Sequence, residues 1–390
     1  MNSSTAPSDS HLSVAAITLF GLVGPYTFLI SPVIAGQMAV QMDWSPGTIG
    51  LLMAGELAGA SLISIPAVRM LRAMTPRRLV ALATLVFILA NLLSAATTTI
   101  SWFLAARVVA GAAGGVLSVV CLLAAARSEN PPRSFAFWTG GQTVTAAAGL
   151  LYLPDLFPKT GLGGLYGALA LAALVALPFL NGFQADKMLP PQADGQPTRP
   201  AARLNMLAIF CFYVAIGGGW AFLGIPGSEI GFSEAEIGIL TSGAMGVSVI
   251  GSFLASYTGG SAWQGRWSIG SYVGLIGCLA ALALTKDHLS FSAATILLQI
   301  LWAFLLPMLL AALADSDEHG AMVILSNMII GGGAALGPLL AGYTIDWSGY
   351  GAVVVEGVAL FLVSAAAYGW ARWRSTGETV QASSHSLSHG

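Results

Sequence analysis

The chain has 390 residues, a net charge of −2, 56% hydrophobic residues and only 8% charged ones. Soluble domains carry about 25% charged residues, so a soluble fold with a polar surface is excluded. The near-neutral balance gives no basis for a nucleic-acid partner. Cys121, Cys211 and Cys278 lie in apolar runs at spacings that fit neither a metal site nor a disulfide framework, so no metal or cofactor is expected.

In chain order, residues 1–12 form a polar tail without a basic region, leading into an apolar stretch too long for a signal-peptide core; a retained first helix is expected. A membrane-crossing helix needs about 20 mostly apolar residues. Twelve segments qualify, near 13–41, 47–70, 78–99, 101–127, 132–154, 161–183, 204–227, 234–258, 267–286, 289–314, 320–345 and 350–373. The predicted fold is therefore an all-α polytopic membrane protein. Its predicted parts are a six-helix bundle over 13–183, a polar, Pro-rich linker over 184–203, a second bundle over 204–374, and a Ser/His-rich disordered tail over 375–390.

An even number of spans puts both termini on one side. Twelve Lys and Arg residues fall on that side, two (Lys159 and Lys286) on the other, and Arg107 lies in the membrane. This bias predicts cytoplasmic termini, with localisation in a plasma membrane, in a bacterium the inner one.

The halves repeat. A shift of 188 residues lays 44–64 over 232–252, matching Ser45 with Ser233, Gly50 with Gly238 and Gly55 with Gly243. The same ungapped shift pairs Arg78 with Arg266, Phe103 with Phe291, Gly149 with Gly337 and Gly161 with Gly349. Repeats of this kind mark many secondary transporters.

Two motifs add to the repeat. On the fourth span Arg107 is followed by Gly111, Gly114 and Gly115; on the eleventh, Gly333 is followed by Gly337-Pro338 and Gly342. With six plus six spans and a central linker, these motifs resemble the major facilitator superfamily. The fifth span lacks the Gly-Pro of that family's drug/proton antiporters. The loop after the second span keeps only Arg77-Arg78 of the family's Asp- and Gly-containing motif, while the equivalent loop of the second half keeps Gly265-Arg266.

Glu56 and Arg107 are the ionisable pair inside the apolar segments, and Glu356 is the other deep charge. At ~1.5 Å rise per residue, Glu56 lies roughly 13 Å and Arg107 roughly 9 Å into their spans, from the same face. Intramembrane charges face partners or water-filled cavities and mark proton relays. Glu56 and Arg107 are accordingly the expected proton-coupling pair, and Arg107 is also a candidate for a substrate carboxylate. Spaced glycines on the same helices read as close packing, and Glu356 as a structural pairing or an interfacial carboxylate. No His lies in a predicted span; His11 and His288 are placed in loops.

The resemblance implies a cavity lined by spans one, four, seven and ten, beside two, five, eight and eleven. Residues near mid-depth there are Tyr26, Gln142, Thr143, Trp220, Gln299, Trp302 and Asn327, an aromatic wall with a few polar groups suited to a small organic ligand. Gly24-Pro25, Ser31-Pro32 and Gly217-Gly218-Gly219 are expected breaks in spans one and seven. The arginines of the loop after span two (Arg69, Arg72, Arg77, Arg78) and the acids before span eleven (Asp315, Asp317, Glu318) are expected to form a cytoplasmic gate.

The sequence thus predicts a monomeric, proton-coupled secondary active transporter of a small organic solute, in contact with membrane lipid. A multidrug/proton antiporter is the alternative. An intramembrane enzyme is disfavoured, because no span carries HExxH or a Ser nucleophile with a His partner, and no phosphate-binding Gly-Lys loop suggests a pump.

Overall fold

The structure, a computed structural model, describes residues 11–183, 200–258, 261, 263–316 and 321–387, with side chains described except at 321–325 and 375–387. The helices are α1 (His11–Gly21), α2 (Tyr26–Leu29), α3 (Ser31–Met42), α4 (Pro46–Leu62), α5 (Ser64–Ala73), α6 (Pro76–Ala96), α7 (Ile100–Ala126) and α8 (Pro131–Ala176). They continue as α9 (Pro200–Ala221), α10 (Gly224–Glu229), α11 (Glu234–Val247), α12 (Val249–Thr258), α13 (Gln264–Leu284), α14 (His288–Asp315), α15 (Ala321–Ser348) and α16 (Tyr350–Leu387). No strand occurs among the described residues.

Starts are set by local chemistry. Ser45, Thr75 and Asn130 each accept a backbone N–H three residues on, with a proline in the first turn of the helix. That proline lacks an N–H the helix could not have used. Asp287 caps α14 through the Ser290 amide at 2.8 Å.

Among the described residues, ten helical stretches are long and apolar enough to cross a membrane. One of them, Pro131–Gly182, has 52 residues, twice what a bilayer needs. It breaks at Gly161, whose φ of 60° and ψ of −168° lie outside the helical region, giving spans five and six. The first span is split into α1, α2 and α3, none of which is long enough to cross alone. The layout is consistent with twelve spans.

The chain forms two compact units: Met1–Pro191 with Ser233–Ser242, and Gln192–Phe232 with Gly243–Gly390. The 188-residue repeat is visible in the local structure of both halves of the chain. Trp44 packs edge-on to Phe103 at 5.3 Å, and Phe232 packs on Phe291 at 5.5 Å, the same pair 188 positions on. Ser45 and Ser233 both cap, receiving the amides of Thr48 and Glu236. Gly149 lies against Tyr26 and Ile30, and Gly337 against Val214 and Gly218, which are the equivalent positions. Gly161 and Gly349 both take positive φ, at 60° and 74°, a conformation glycine adopts without steric cost.

Several expectations are corrected. Gly217, Gly218 and Gly219 do not break span seven: α9 runs through them to Ala221. They instead allow close packing, a Cβ on Gly217 or Gly218 falling 3.2 or 3.0 Å from the carbonyls of Ala334 and Gly337. The expected linker to Arg203 already turns helical at Pro200, and 184–199 lie outside the described residues. The tail expected to be disordered continues α16 to Leu387, since extending an existing helix costs far less than nucleating one. His11 and His288, read as loop residues, open α1 and α14. All three cysteines are buried and free.

Candidate functional site

In the first unit Gly21, Pro25, Glu56, Gly111 and Arg107 form one construction. The carbonyl of Gly21 would normally accept the amide four residues on, but Pro25 has none. A buried carbonyl must find another donor, and two side chains of α8 provide it: Trp138 Nε1 at 3.1 Å and Gln142 Nε2 at 2.7 Å. The break in span one is thereby held open, and α2 carries Thr27 past it.

Glycines of α7 seat the neighbouring helices. A Cβ on Gly111 would overlap the main-chain carbonyl of Glu56, and one on Gly115 would overlap that of Ala60. A Cβ on Gly114 would lie 3.4 Å from the Cα of Gly24. The backbone of Glu56 therefore rests on α7 one turn from Arg107.

Arg107 is only 1% exposed. Its Nε donates to Ser94 Oγ at 3.0 Å and its Nη2 to Asn91 Oδ1 at 2.9 Å, both on α6. The guanidinium carbon lies 4.2 Å from the Tyr166 ring centroid, within the range of a cation–π contact. Nη1 reaches Glu56 Oε1 at 3.5 Å, and the Glu56 side chain is 12% exposed. The same Glu56 oxygen accepts from Thr27 Oγ1 at 2.9 Å. Arg107 is thus locked by three neighbours other than Glu56. Glu56 bridges that fixed cation to the broken helix of span one.

The second unit packs α13 on α14 as the first packs α6 on α7, but without this network. The positions equivalent to Thr27, Glu56, Asn91, Ser94, Arg107 and Tyr166 are Ala215, Ala244, Leu279, Leu282, Thr295 and Val354, all buried. What that unit carries instead is aromatic. Trp302 on α14 stands 6.2 Å from Trp220 and 6.4 Å from Tyr213, both on α9. Gln299, one turn before Trp302, is 4% exposed, and its amide nitrogen has no hydrogen-bond partner among the described residues. Leaving a buried donor unmet costs about 1–3 kcal/mol.

The other sequence candidates are distributed as follows. Tyr26 is part-buried with its hydroxyl against Gly149. Gln142 is committed to Gly21, and the Thr143 hydroxyl donates to Thr139 of its own helix at 3.0 Å. Asn327 is part-buried on α15. Glu356 accepts from Thr344 Oγ1 at 3.0 Å. Arg69, Arg72, Arg77, Arg78 and Asp315 are exposed, whereas Asp317 and Glu318 lie outside the described residues. Thr27, Asn91, Ser94 and Tyr166 carry no signal of their own in the sequence. Arg107 gives the indirect one, since its five N–H donors require acceptors once buried.

A two-fold repeat of apolar helices holding a buried ion pair defines a polytopic membrane protein of the solute-transporter class. Residues 16–203 match the Major Facilitator Superfamily model, so that the first half of the chain is similar to that superfamily. The bacterial homologue of the human lysosomal transporter Spinster has a similar structure (TM-score 0.69, 16% identity, 94% of this chain and 97% of that one). The nucleoside transporter NupG is also similar (TM-score 0.74, 13% identity, 92% of this chain and 99% of that one). So is the human organic anion transporter MFSD10 (TETRAN), at TM-score 0.67 and 14% identity over 92% of this chain and 99% of that one. At these identities the likeness concerns the fold.

Proposed function

We propose that this protein is a proton-coupled secondary active carrier of a small organic solute, working by alternating access from a plasma membrane with both termini cytoplasmic. The observation that carries the reading is the asymmetry of the repeat. At the equivalent positions the second half has Ala244, Leu279, Leu282 and Thr295, all buried and none charged, so the network of Glu56, Asn91, Ser94 and Arg107 is not a general feature of the repeat. A buried ion pair is rarely a net gain in stability, and one retained in a single repeat has a task.

Glu56 is the group that takes the proton. When ionised, it is drawn to Arg107 and accepts from Thr27. Protonation removes its charge, weakens the hold on Arg107, and changes its bond to α2 at the break in span one. Arg107 serves as the fixed countercharge, because Asn91, Ser94 and Tyr166 hold it whether or not Glu56 is charged. Its burial favours this role over direct capture of a substrate carboxylate.

Trp302, Trp220 and Gln299 form the substrate wall of the second unit: a stacking surface and an unmet amide donor for a carbonyl, carboxylate or ring-nitrogen acceptor. Tyr26 and Asn327 are further contacts on this reading. The ligands named for similar structures, a nucleoside and an organic anion, fall within this chemistry and set the first compounds to try. Thermal stabilisation of the purified protein across nucleosides, organic anions and drugs identifies the ligand. Uptake into vesicles with the proton gradient imposed in either direction then separates import from the multidrug/proton antiport alternative. A panel in which no compound shifts the melting temperature at acidic or alkaline pH speaks against the substrate wall.

A further inference from the structure

At one end of the second unit, the first turn of α13 and the last turns of the apolar part of α16 bring arginines and aromatic rings together. The Tyr368 hydroxyl donates to Ser268 Oγ at 3.2 Å, tying the two helices at this level. Arg372 Nη1 donates to the same Tyr368 oxygen at 3.2 Å, and its guanidinium carbon is 5.8 Å from that ring. A Cβ placed on Gly265 would lie 3.2 Å from Arg372 Nε, so this guanidinium sits beside the residue preceding Arg266. The guanidinium of Arg266 lies over the Trp263 ring at 4.5 Å.

Arg266 is exposed and Arg372 part-exposed. Trp263 and Trp267 are 57% and 56% exposed. Arg266 is the third residue of α13, and Arg372 lies two residues before the end of the apolar span Tyr350–Arg374. Tryptophans at span ends sit at headgroup depth, so both arginines stand where phosphates of the bilayer lie. The start of α13 has no side-chain cap.

We propose that Arg266 and Arg372, flanked by Trp263, Trp267 and Tyr368, form a binding site for the headgroup of an anionic phospholipid. Trp263 positions the Arg266 guanidinium and the buried Tyr368 that of Arg372, the exposed Trp263 and Trp267 lie against the acyl-chain boundary, and the forked N–H groups take the phosphate oxygens. Arg374 is not part of the site. It is two residues from Arg372, about 200° around the helix, and stacks on Trp370 instead, at 5.1 Å. Basic clusters between transmembrane helices recognise lipid headgroups by this chemistry. The site is separate from Glu56 and Trp302, and it does not depend on the transport reading.

The test is native mass spectrometry of the purified full chain, which reads folded protein only, titrated with phosphatidylglycerol, with phosphatidylcholine of the same chains, and with inorganic phosphate. The wild type should retain phosphatidylglycerol in clear preference to the other two. Each arginine near a membrane surface contributes about fivefold, so the Arg266→Gln, Arg372→Gln double variant should lose about 25-fold in affinity for phosphatidylglycerol. Arg374→Gln should bind as the wild type does, and the Arg266→Lys, Arg372→Lys variant should bind between the wild type and the double Gln variant, because an ammonium keeps the charge but neither forks nor stacks as a guanidinium does. Wild-type affinity in the double Gln variant overturns the proposal. An equal loss in Arg374→Gln shows diffuse charge attraction and overturns it too. Phosphate displacing the lipid at equal concentration identifies a free-anion site and overturns the lipid assignment.

Discussion

Arg107 shows how one buried residue dictates its surroundings. Five donors cannot be left unmet away from water, and α6 supplies acceptors three residues apart at Asn91 and Ser94. Both acceptors first satisfy their own helix, Asn91 donating to Phe87 and Ser94 to Ala90. Removing one partner of a buried pair costs about 3–5 kcal/mol. We predict that Arg107→Ala lowers folded yield and melting temperature far more than Glu56→Gln does. Adding Glu56→Gln to Arg107→Ala should recover part of the loss. Strict additivity in that double-mutant cycle would show that the two residues do not interact. At Gln299 the prediction has the opposite sign for stability. Gln299→Leu removes an unmet amide, so the ligand-free protein should melt at the same or a higher temperature, while affinity for the compound found by thermal stabilisation falls about tenfold, the worth of one hydrogen bond to a buried donor. Unchanged affinity would take Gln299 out of the substrate wall.

At the scale of helices, the glycines of α7 determine where Glu56 stands. An exposed glycine in a helix usually tolerates alanine with a gain of about 0.4–1 kcal/mol. Gly140, where an added methyl group would meet nothing within 4 Å, should behave so. Gly111→Ala, in contrast, must displace the backbone of Glu56, and we predict a clear fall in melting temperature together with loss of transport. Equal melting temperatures for Gly111→Ala and Gly140→Ala would show that α4 and α7 can separate without cost. This contact was legible beforehand from the four-residue spacing of Arg107, Gly111 and Gly115. The role of Gln142 was not. It reads as a cavity residue until the missing amide of Pro25 and the carbonyl of Gly21 are considered together, and only proximity reveals that α8 provides the donor. The glycine triplet of α9 misleads in the other direction, because the same residue that permits a break also permits close packing. Neighbouring carbonyls, not composition, decide between the two.

At the scale of the whole molecule, hydropathy, the 188-residue repeat and the rarity of charge made the fold and the Glu56–Arg107 pair readable in the sequence. Thr27, Asn91, Ser94 and Tyr166 were hidden because small polar and aromatic residues are common in any helix, and their meaning depends on what they face. The proposed gate also belongs to this scale. Exposed ion pairs contribute about 0–1 kcal/mol each, yet several together can bias states separated by a few kcal/mol. Replacing Asp315, Asp317 and Glu318 by Lys should favour the cytoplasm-open state, read by cysteine labelling from either face. Reversing Arg72 and Arg77 to Glu as well should restore the balance, and unchanged labelling in the first variant would rule out the gate. The central claim is that a proton on Glu56 drives accumulation, and its most direct test is uptake in proteoliposomes. With an imposed pH gradient, the wild type should concentrate the identified solute, while Glu56→Gln should exchange it across the membrane at equilibrium but never concentrate it. Gradient-driven accumulation by Glu56→Gln with the wild-type pH dependence would contradict the account.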